Sequence, residues 1–437
     1  MHRAPPKPLR WRGARFVHCD DAYTVTLGEL AAAGGRITSL TTPSDHPARE
    51  LAGKIVVPGF VQTHVHLVQT LFRGLADDLA LLDWLRTRIW PLEAAHDEDS
   101  VYWSARLGLT ELLLGGTTAI LDMATVHHTD SVFRAAEECG MRMHCGAAMM
   151  DRENEAGLWQ PTDRCLQDAC ALADRWHRRG RLRYAFAPRF VPSCTEALLT
   201  QTRDEARSRG CLIHTHSSEN PEELGLVRAL TGRENVEYLH DIGLTGPDVV
   251  LAHCVHLTDK EIQTLASSHT RVAHCPSSNL KLASGLAPVP EMHDAGVHVS
   301  LGADGAPCNN RLDIFQEMRL AALIQKPRCG ATTLPAREVL RFATRHGAEA
   351  LGHHEGGLLA ADHDADLVIL NPDTPATTGG TEPHGLVVYA MSPANVQEVW
   401  ISGEPVVAEG RVLAWDTQET IVEARKALDR VIKRAGL

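Results

Sequence analysis

The chain has 437 residues, of which 22% are charged, and its formal net charge at pH 7 is −12. A chain of this length can form one large domain with an ample core and a smaller second one. The excess of acidic over basic residues and the lack of a basic run in the sequence argue against nucleic acid as a partner. No stretch is apolar enough for a membrane span or a signal-peptide core. The eleven cysteines are scattered without a CxxC motif, so we expect reduced thiols and a cytoplasmic location.

Both ends of the chain are rich in short predicted strands. These strands fall at residues 13–17, 23–27 and 34–40, and again at 365–370, 396–401 and 404–407. Short apolar runs bounded by turn residues are typical of strands in small β structures. We therefore predict a small β-sandwich built from both termini, comprising residues 1–57 and residues 357–437, the second part ending in a helix.

The middle of the chain, residues 58–356, alternates apolar strands with amphipathic helices. One strand is predicted over residues 55–66, and seven more at 118–122, 141–144, 182–187, 211–216, 249–253, 271–274 and 298–304. Eight strands in this rhythm predict an α/β fold, a (β/α)8 TIM-like barrel. Chemistry in such barrels gathers at the C-terminal ends of the strands. Polar residues at these ends are therefore the candidates for a functional site.

Residues of the metal-ligand type occupy several of these strand ends. His64 and His66 are two apart on one strand, so their side chains share a face. His216 ends a later strand, Glu219 follows it by three residues, and Asp304 ends the last strand. Three imidazoles and a carboxylate suit zinc or ferrous iron with a bound water. One His-x-His pair is weak support in a chain with 24 histidines, but these elements together, each at a strand end, indicate a metal site.

Seven motifs give the chain a resemblance to a known family. They span residues 58–66, 71–78, 90–93, 216–219, 251–254, 274–281 and 302–307. Together they resemble the amidohydrolase superfamily, and within it the branch of aminohydrolases that act on nitrogen heterocycles. The resemblance covers nearly the whole chain. It is strongest to the deaminases of 5′-deoxyadenosine, methylthioadenosine and S-adenosylhomocysteine.

This resemblance implies a metal centre and the residues that surround it. One divalent metal, with zinc favoured and iron the alternative, is implied to be held by His64, His66, His216 and Asp304. The resemblance also implies that Glu219 protonates a ring nitrogen while His253 and Asp304 contact the attacking hydroxide. Relatives of this kind act on small molecules and commonly form homo-oligomers, so we expect the same here.

The resemblance also points to residues that bind the substrate, among them Glu219 and Asp304. Glu93 lies in a Pro-x-Glu motif that accepts hydrogen bonds from ribose hydroxyls in nucleoside deaminases, although it could instead belong to a helix beginning near Ala94. Arg189 stands where those enzymes carry histidine, and residues 187–196 are closer to guanine deaminases. Arg189 could therefore donate to a guanine carbonyl, or bind a ribose or a carboxylate tail.

For four further residues, both a functional and a structural role are considered. His214 forms a second His-x-His pair with His216 and is expected behind the metal ligands or in the core. His274 is expected to be structural, with hydrogen bonds to the loop at residues 277–279. Arg152 and Arg164 fall near homocysteine-binding positions of the relatives, but the intervening helix is variable and a surface location is favoured.

The resemblance predicts a deaminase of adenine nucleosides modified at the 5′ position, which releases ammonia. Residues 90–93 and the loop at 277–285 favour this substrate over free guanine. The alternatives are a deaminase of guanine or of another purine- or pterin-type base, and an s-triazine chlorohydrolase. The strand at 182–187 has no lysine of the kind that bridges two metals in cyclic-amide hydrolases. A non-catalytic scaffold protein would have lost metal ligands, and every expected ligand is present.

Overall fold

The computed structural model describes residues 9–41 and 47–437, which form two β-sheets with helices around one of them. The strands, in chain order, are β1 (Leu9–Val17), β2 (Val25–Ala33), β3 (Arg36–Thr41), β4 (Arg49–Glu50), β5 (Ile55–Pro58), β6 (Phe60–His66), β7 (Thr117–Met123), β8 (Arg142–Gly146), β9 (Ala148–Met149), β10 (Leu182–Pro188), β11 (Leu212–Ser217), β12 (Val249–His253), β13 (Arg271–His274), β14 (His298–Leu301), β15 (Asp304–Gly305), β16 (Leu367–Leu370), β17 (Val396–Ile401), β18 (Glu404–Ala408) and β19 (Arg411–Val412). The first eight residues, for which the sequence predicts no signal core, lie outside the described ranges.

The helices of the described ranges follow most barrel strands. In chain order they are α1 (Leu81–Trp84), α2 (Trp90–Ala94), α3 (Glu98–Leu114), α4 (Thr129–Cys139), α5 (Thr162–Trp176), α6 (Glu196–Arg209), α7 (Pro221–Thr231), α8 (Asn235–Asp241), α9 (Asp259–Ser267), α10 (Pro276–Lys281), α11 (Val289–Asp294), α12 (Ala306–Asn309), α13 (Ile314–Leu323), α14 (Lys326–Cys329), α15 (Ala336–Phe342), α16 (Arg345–Ala350), α17 (Pro383–Gly385) and α18 (Thr417–Ala435). Short 3-10 or π turns lie at Leu67–Phe72, Leu85–Ile89, Val191–Ser193, Leu386–Ala390 and Pro393–Asn395. None of these helices is both long enough and apolar enough to cross a membrane.

The two β-rich ends of the chain meet in one sheet, as the sequence predicts. β5 pairs in parallel with β1 and antiparallel with β16, which joins the N-terminal strands to the C-terminal ones. Inside this terminal sheet, Trp11 meets Trp400 edge to face, with ring centroids 5.2 Å apart. Both rings are buried, and aromatic pairs of this geometry add to the stability that their burial provides. The predicted domain boundaries at residues 57/58 and 356/357 stay a prediction.

The second sheet is a closed barrel of parallel strands. Its order is β6, β7, β8, β10, β11, β12, β13 and β14, with β9 pairing on β10. Beyond Leu301 the chain continues from β14 into β15, which pairs in parallel with β6 so that Asp304 lies opposite Val65. The last strand thus contacts both of its neighbours and closes the ring. The prediction of a (β/α)8 TIM-like barrel is confirmed.

The strand predicted as continuous over residues 55–66 is two strands in the structure. β5 belongs to the terminal sheet and β6 to the barrel, and the chain passes from one to the other at Gly59. A Cβ at Gly59 would overlap the side chain of Thr118, so only glycine lets this junction lie so close to β7. The continuous-strand prediction was wrong because hydrophobicity does not reveal which sheet a strand joins.

Candidate metal centre and active site

The residues singled out by their position at strand ends meet at one rim of the barrel. They are His64 and His66 of β6, His216 of β11, Glu219 just beyond it, His253 of β12 and Asp304 of β15. Potential ligand atoms of His64, His66 and His216 lie within 4.8 Å of one another, and so do those of His64, His253 and Asp304. Residues separated by more than two hundred positions therefore converge because parallel strands end at a common rim.

Two of the three clustered histidines direct the same ring nitrogen towards the centre. His66 Nδ1 lies 2.7 Å from the carbonyl oxygen of Met123, and His216 Nδ1 lies 2.7 Å from that of Arg189. Because a carbonyl oxygen only accepts hydrogen bonds, both rings carry a proton on Nδ1. Each keeps its lone pair on Nε2, and the two Nε2 atoms are 3.2 Å apart. This is how metal-binding histidines are commonly oriented by the residues behind them.

The third clustered histidine, His64, is held by His214. Its Nδ1 lies 2.8 Å from Nε2 of His214, and both rings are fully buried. The Nε2 of His64 is also buried and has no hydrogen-bond partner among the described residues. His214 therefore lies behind His64, a residue predicted to bind the metal, which is one of the two places the sequence allows. An unpaired buried nitrogen is costly in an apolar interior, and a metal ion would satisfy it.

Asp304 completes a donor set that fits one divalent ion. Its Oδ1 lies 3.3 Å from Nε2 of His64 and 3.4 Å from Nε2 of His66. The Gly305 backbone N–H donates to the same oxygen, and the Ser278 hydroxyl donates to Oδ2 at 2.6 Å. Imidazole nitrogens and one carboxylate oxygen, each oriented by a second hydrogen bond, are ligands that zinc accepts. The residues present thus fit the metal that the sequence predicts.

The backbone at this rim is strained where the side chains must turn inward. His253, Asp304 and Ser218 have φ values of 76°, 62° and 55°, in the left-handed region that residues with a Cβ seldom adopt. Such conformations each cost about 1–3 kcal/mol and persist where surrounding structure enforces them. Their clustering at one rim agrees with a functional role for the rim.

The electrostatic environment favours neutral imidazoles and an ionised aspartate. Burial lowers the pKa of His66 to about 4 and also lowers the pKa values of His64 and His216. Burial alone would raise the pKa of Asp304, but its close contacts with His64 and the neighbouring imidazoles outweigh burial and hold the value well below its usual range. These are the protonation states in which both groups bind metal ions.

Glu219 and His253 lie side by side next to the cluster. Glu219 Oε2 is 3.5 Å from Nε2 of His253, whose Nδ1 is 2.9 Å from Oδ1 of Asn279. Burial raises the pKa of Glu219 to about 7, and the charge on His253 only partly offsets this. Burial lowers the pKa of His253, but the carboxylates of Glu219 and Asp304 outweigh it and raise the value. A carboxyl group with such a pKa can give or take a proton near neutral pH.

The cluster opens into a pocket with mostly apolar walls. The apolar side chains are Leu81, Trp84, Leu85, Phe190 and Leu282. We call His64, His66, His216 and Asp304 the metal-type cluster. The polar side chains of the pocket, apart from members of this cluster and its neighbours Glu219 and His253, are Gln69 and Arg189. An apolar pocket with a few convergent polar groups is typical of a site for a small organic molecule. The indole N–H of Trp84 is buried without a hydrogen-bond partner among the described residues.

Glu93 and Arg189, both predicted to bind substrate, form a buried ion pair. Nη1 and Nη2 of Arg189 donate to the two carboxylate oxygens of Glu93 at 2.8 and 3.1 Å. Burial raises the pKa of Glu93, yet the charge of Arg189 outweighs it and lowers the value. Arg189 lines the pocket, whereas Glu93, in α2, lies behind it. The sequence predicted both residues but not their contact, since 96 positions separate them.

The other residues weighed from the sequence have structural surroundings. Neither ring nitrogen of His274 has a partner among the described residues, so the hydrogen bonds expected with residues 277–279 are not formed. Its ring is buried, and burial lowers its pKa to about 3. Arg164 forms an exposed ion pair with Asp168, as expected for the surface. Arg152 donates to the carbonyl oxygen of Cys194 and lines a neighbouring groove.

Sequence reasoning missed several residues that complete the site. Asn279 and Ser278 hold His253 and Asp304, and both lie in a motif at residues 274–281 that was noted for other reasons. Gln69 and Thr125 both donate to Glu93, at 2.8 and 3.0 Å. Neither has a sequence signal of its own, because an amide or hydroxyl beside a strand end is common in any chain.

Known proteins resemble this chain over nearly its full length. It is 41% identical over 417 residues to a protein of Methanothermobacter thermautotrophicus named 5′-deoxyadenosine deaminase, and the alignment covers 94% of each chain. It is 36% identical over 379 residues to a protein of Desulfitobacterium hafniense named 5-methylthioadenosine/S-adenosylhomocysteine deaminase, and that alignment covers 86% of each chain. The crystal structure of an adenosine deaminase from Xanthomonas campestris with bound zinc aligns with a TM-score of 0.91 at 30% identity, covering 97% of this chain and 98% of that one.

The sequence model of the Amidohydrolase family matches residues 55–406, a range that includes the barrel and every residue of the metal-type cluster. The relatives extend over the same range and beyond it into the terminal sheet. On these grounds the chain belongs to the amidohydrolase family.

Proposed function

We propose that this protein is a hydrolytic deaminase of adenine nucleosides modified at the 5′ position, and that it uses one divalent metal ion, zinc in preference to iron. The observation that carries the proposal is Glu219, a buried carboxyl group beside His253 and the histidine cluster, with a pKa near 7. It supports a reaction in which a ring nitrogen is protonated. The substrate class is supported by the relatives, which are named as deaminases of 5′-deoxyadenosine and of methylthioadenosine and S-adenosylhomocysteine.

The metal would be held by His64, His66, His216 and Asp304, and when bound it would supply the Lewis acidity that makes water nucleophilic at neutral pH. An aromatic carbon that bears an amino group is a poor electrophile, so activation of water alone is insufficient. Glu219 is placed to donate a proton to the neighbouring ring nitrogen, which offsets the charge that develops as the ring loses aromaticity. Such general acid catalysis contributes about 10²–10⁴-fold.

His253 and Asp304 face the position from which water would attack. Oδ2 of Asp304 is 3.8 Å from Nε2 of His253, so the two groups border one small space. A carboxylate there can take the proton that water loses as its oxygen bonds to the ring carbon. The same proton can then pass to the amino group, which leaves as ammonia. As the C–N bond breaks, the hydroxyl proton passes to the Glu219 carboxylate and restores its acid form. The ring nitrogen retains the proton given earlier by Glu219, and the product is the keto form.

Arg189, Glu219 and Asp304 line the pocket, which supports their assignment as groups that contact the substrate. Arg189 also supports a second candidate, deamination of guanine or of a related purine- or pterin-type base, because a guanidinium in the pocket wall can donate to a ring carbonyl. An adenine nucleoside is preferred because the named relatives that align along most of the chain act on nucleosides.

A screen of ammonia release tests the proposal. Purified protein loaded with zinc is assayed on 5′-deoxyadenosine, methylthioadenosine, S-adenosylhomocysteine, adenosine, guanine and ammeline-type triazines. We expect kcat/KM to be highest for a 5′-modified adenine nucleoside. A preference for guanine would replace the nucleoside by the second candidate, and turnover of the triazines alone would exclude both.

A further inference from the structure

A short buried segment, residues 278–284, contacts the side chains that carry the proposed acid–base chemistry. Its first two residues hold Asp304 and His253. At its other end, the hydroxyl of Ser284 donates to Oε1 of Glu219 at 3.3 Å. Catalytic hydrogen bonds of this length commonly tighten once substrate binds. The proton donor of the proposed reaction is therefore held by the same segment as its two neighbours.

The backbone of Ser284 keeps its hydroxyl beside Glu219. The Ser284 N–H donates to the carbonyl oxygen of Asn279 at 2.9 Å, and the Ser284 carbonyl oxygen accepts from Nε2 of His256 at 2.7 Å. The residue is only 2% exposed. Both contacts fix the main chain on either side of the side chain, so the hydroxyl cannot turn away without breaking them.

Ser284 is connected to the substrate pocket through Glu219. Of the described residues, those that line the pocket include Glu219 and His253 but not Ser284. Leu282, two residues earlier, lines the pocket with its apolar side chain. Removing the Ser284 hydroxyl would therefore change the surroundings of the carboxyl group and leave the pocket walls as they are.

The hydrogen bond from Ser284 makes the two oxygens of the Glu219 carboxyl group unequal. In a carboxylic acid one oxygen carries the proton and the other is the better acceptor. Because Oε1 accepts from Ser284, the proton of the acid form belongs on Oε2. Oε2 is the oxygen that lies 3.5 Å from Nε2 of His253. The transferable proton is thus on the side of the carboxyl group that faces His253.

The backbone contacts of Glu219 do not set this orientation. Its N–H donates to Oε2 of Glu223 at 2.7 Å, which fixes the main chain but not the rotation of the carboxyl group. That rotation depends on the groups that contact the two oxygens, which are Ser284 on one side and His253 on the other. Without the hydroxyl, either oxygen could turn towards His253.

We propose that Ser284 is a positioning residue for proton transfer, whose hydroxyl holds Oε1 of Glu219 so that Oε2 delivers the proton to the substrate ring. The proton leaves Oε2 for the ring nitrogen, and the carboxylate keeps its hydrogen bond from Ser284 until the hydroxyl proton on the ring carbon returns to it. The proposal rests on the proposed function, in which Glu219 is the proton donor, and adds the oxygen from which the proton leaves.

A double-mutant cycle tests the proposal on the substrate with the highest kcat/KM in the ammonia screen. The four proteins are the native enzyme, Ser284→Ala, Glu219→Gln and the double variant. Ser284→Ala should lower kcat by about tenfold and change KM by less than about twofold, because it removes a hydrogen bond to the acid and leaves the pocket walls intact. If Ser284 acts through Glu219, the double variant should lie within about threefold of Glu219→Gln.

Three results would overturn the proposal. The first is a double variant about tenfold or more below Glu219→Gln, which would mean that Ser284 acts independently of Glu219. The second is a loss in Ser284→Ala that appears in KM instead of kcat, as expected for a residue that binds substrate. The third is a native or raised kcat in Ser284→Ala, which would mean that the hydroxyl accepts the proton of Glu219 and withholds it.

Controls separate positioning from a general loss of structure. Ser267→Ala, at an exposed serine of α9, is the matched control and should behave as the native enzyme. Melting temperature and zinc content are measured for every variant. If Ser284→Ala does not fold, Ser284→Cys takes its place in the cycle, because a thiol is similar in size and only a weak donor.

The native enzyme distinguishes failure of the proposed function from failure of this proposal. If it releases no ammonia from any compound in the screen, the proposed function fails and the role of Ser284 falls with it. If it releases ammonia while the losses of the two single variants multiply, the deaminase stands and only the role of Ser284 is overturned.

Discussion

At the scale of single residues, the chemistry of the site depends on which nitrogen each histidine leaves free. Met123 and Arg189 accept from Nδ1 of His66 and His216, and these acceptors are backbone carbonyls of neighbouring strands. The barrel backbone thus helps to set the orientation of the two rings. The spacing of the histidines predicted which residues converge, but the identity of the free nitrogen needed the structure.

The first prediction concerns His66. The native protein should carry about one zinc or iron per chain. Replacing His66 by alanine removes one nitrogen from the donor set, so we expect His66→Ala to lose both its metal and its activity. Metal per chain is measured by elemental analysis after dialysis. His127→Ala, at an exposed histidine, is the control and should retain both. A stoichiometric ion in His66→Ala would mean that the assigned donor set is wrong.

The second prediction concerns Glu219. Glu219→Gln keeps the size of the side chain but removes its acid, so kcat for the best nucleoside should fall by about 10²-fold or more while the metal stays bound. Glu222→Gln, three residues further along at an exposed position, serves as the matched control. Single-turnover kinetics isolates the chemical step from product release. Near-native turnover in Glu219→Gln would remove this residue from the mechanism.

At the scale of elements, one buried carboxyl group holds together the segments that carry Ser278, Asn279 and Asp304. Glu317, in α13, accepts from the Ser277 backbone N–H and hydroxyl at the start of α10. It also accepts from Nδ2 of Asn309 at the end of α12, at 2.9 Å. The three helices thus meet at one side chain, next to the turn that presents Asp304.

The third prediction follows from the pKa of Glu317, which burial raises to about 8 against the effect of its hydrogen bonds with Ser277 and Asn309. A carboxyl group with a raised pKa stabilises the fold fully below its unfolded-state pKa of about 4.5, and this stability is lost as the pH rises towards 8. The melting temperature of the native protein should therefore fall over this range. In Glu317→Gln, which stays neutral, the fall should be smaller by a few degrees.

Calorimetry between pH 5 and 8 measures this difference. Glu153→Gln changes an exposed carboxyl group and should leave the native curve unaltered. Parallel curves for the native protein and Glu317→Gln would show that Glu317 is ionised throughout this range, contrary to the prediction.

The same elements show which features of the fold and the site could be predicted from the sequence. Strand ends, spacing and the resemblance were enough to predict the barrel and the residues of the metal-type cluster, because each of these signals is local. The break at Gly59 was missed because β5 and β6 pair with different strands, and those partners lie far along the chain. The Glu93–Arg189 pair was missed for the same reason, since no local pattern reports which distant side chains meet.

At the scale of the whole molecule, a buried ion network joins the barrel to the terminal sheet. Arg142 of β8 donates to Asp364 at 2.6 Å and to Asp366 at 3.3 Å, just before β16. His353 approaches the same Asp364 at 3.3 Å, so these acidic and imidazole groups resemble a second metal cluster. The guanidinium of Arg142 already contacts both carboxylates and offsets one of their two negative charges, which favours a structural role.

The fourth prediction tests this junction. Arg142 is only 13% exposed, and Arg142→Met would leave Asp366 without its cation and Asp364 with only the longer contact to Arg36 at 3.8 Å. Removing one partner of a buried ion pair costs about 3–5 kcal/mol, so the urea midpoint of unfolding should fall clearly. Arg164→Met breaks an exposed pair with Asp168 and should cost less than about 1 kcal/mol. Equal losses in the two variants would mean that the network does not hold the sheet to the barrel. Because the metal-type cluster lies at the opposite, C-terminal ends of the strands, folded Arg142→Met should still bind its metal.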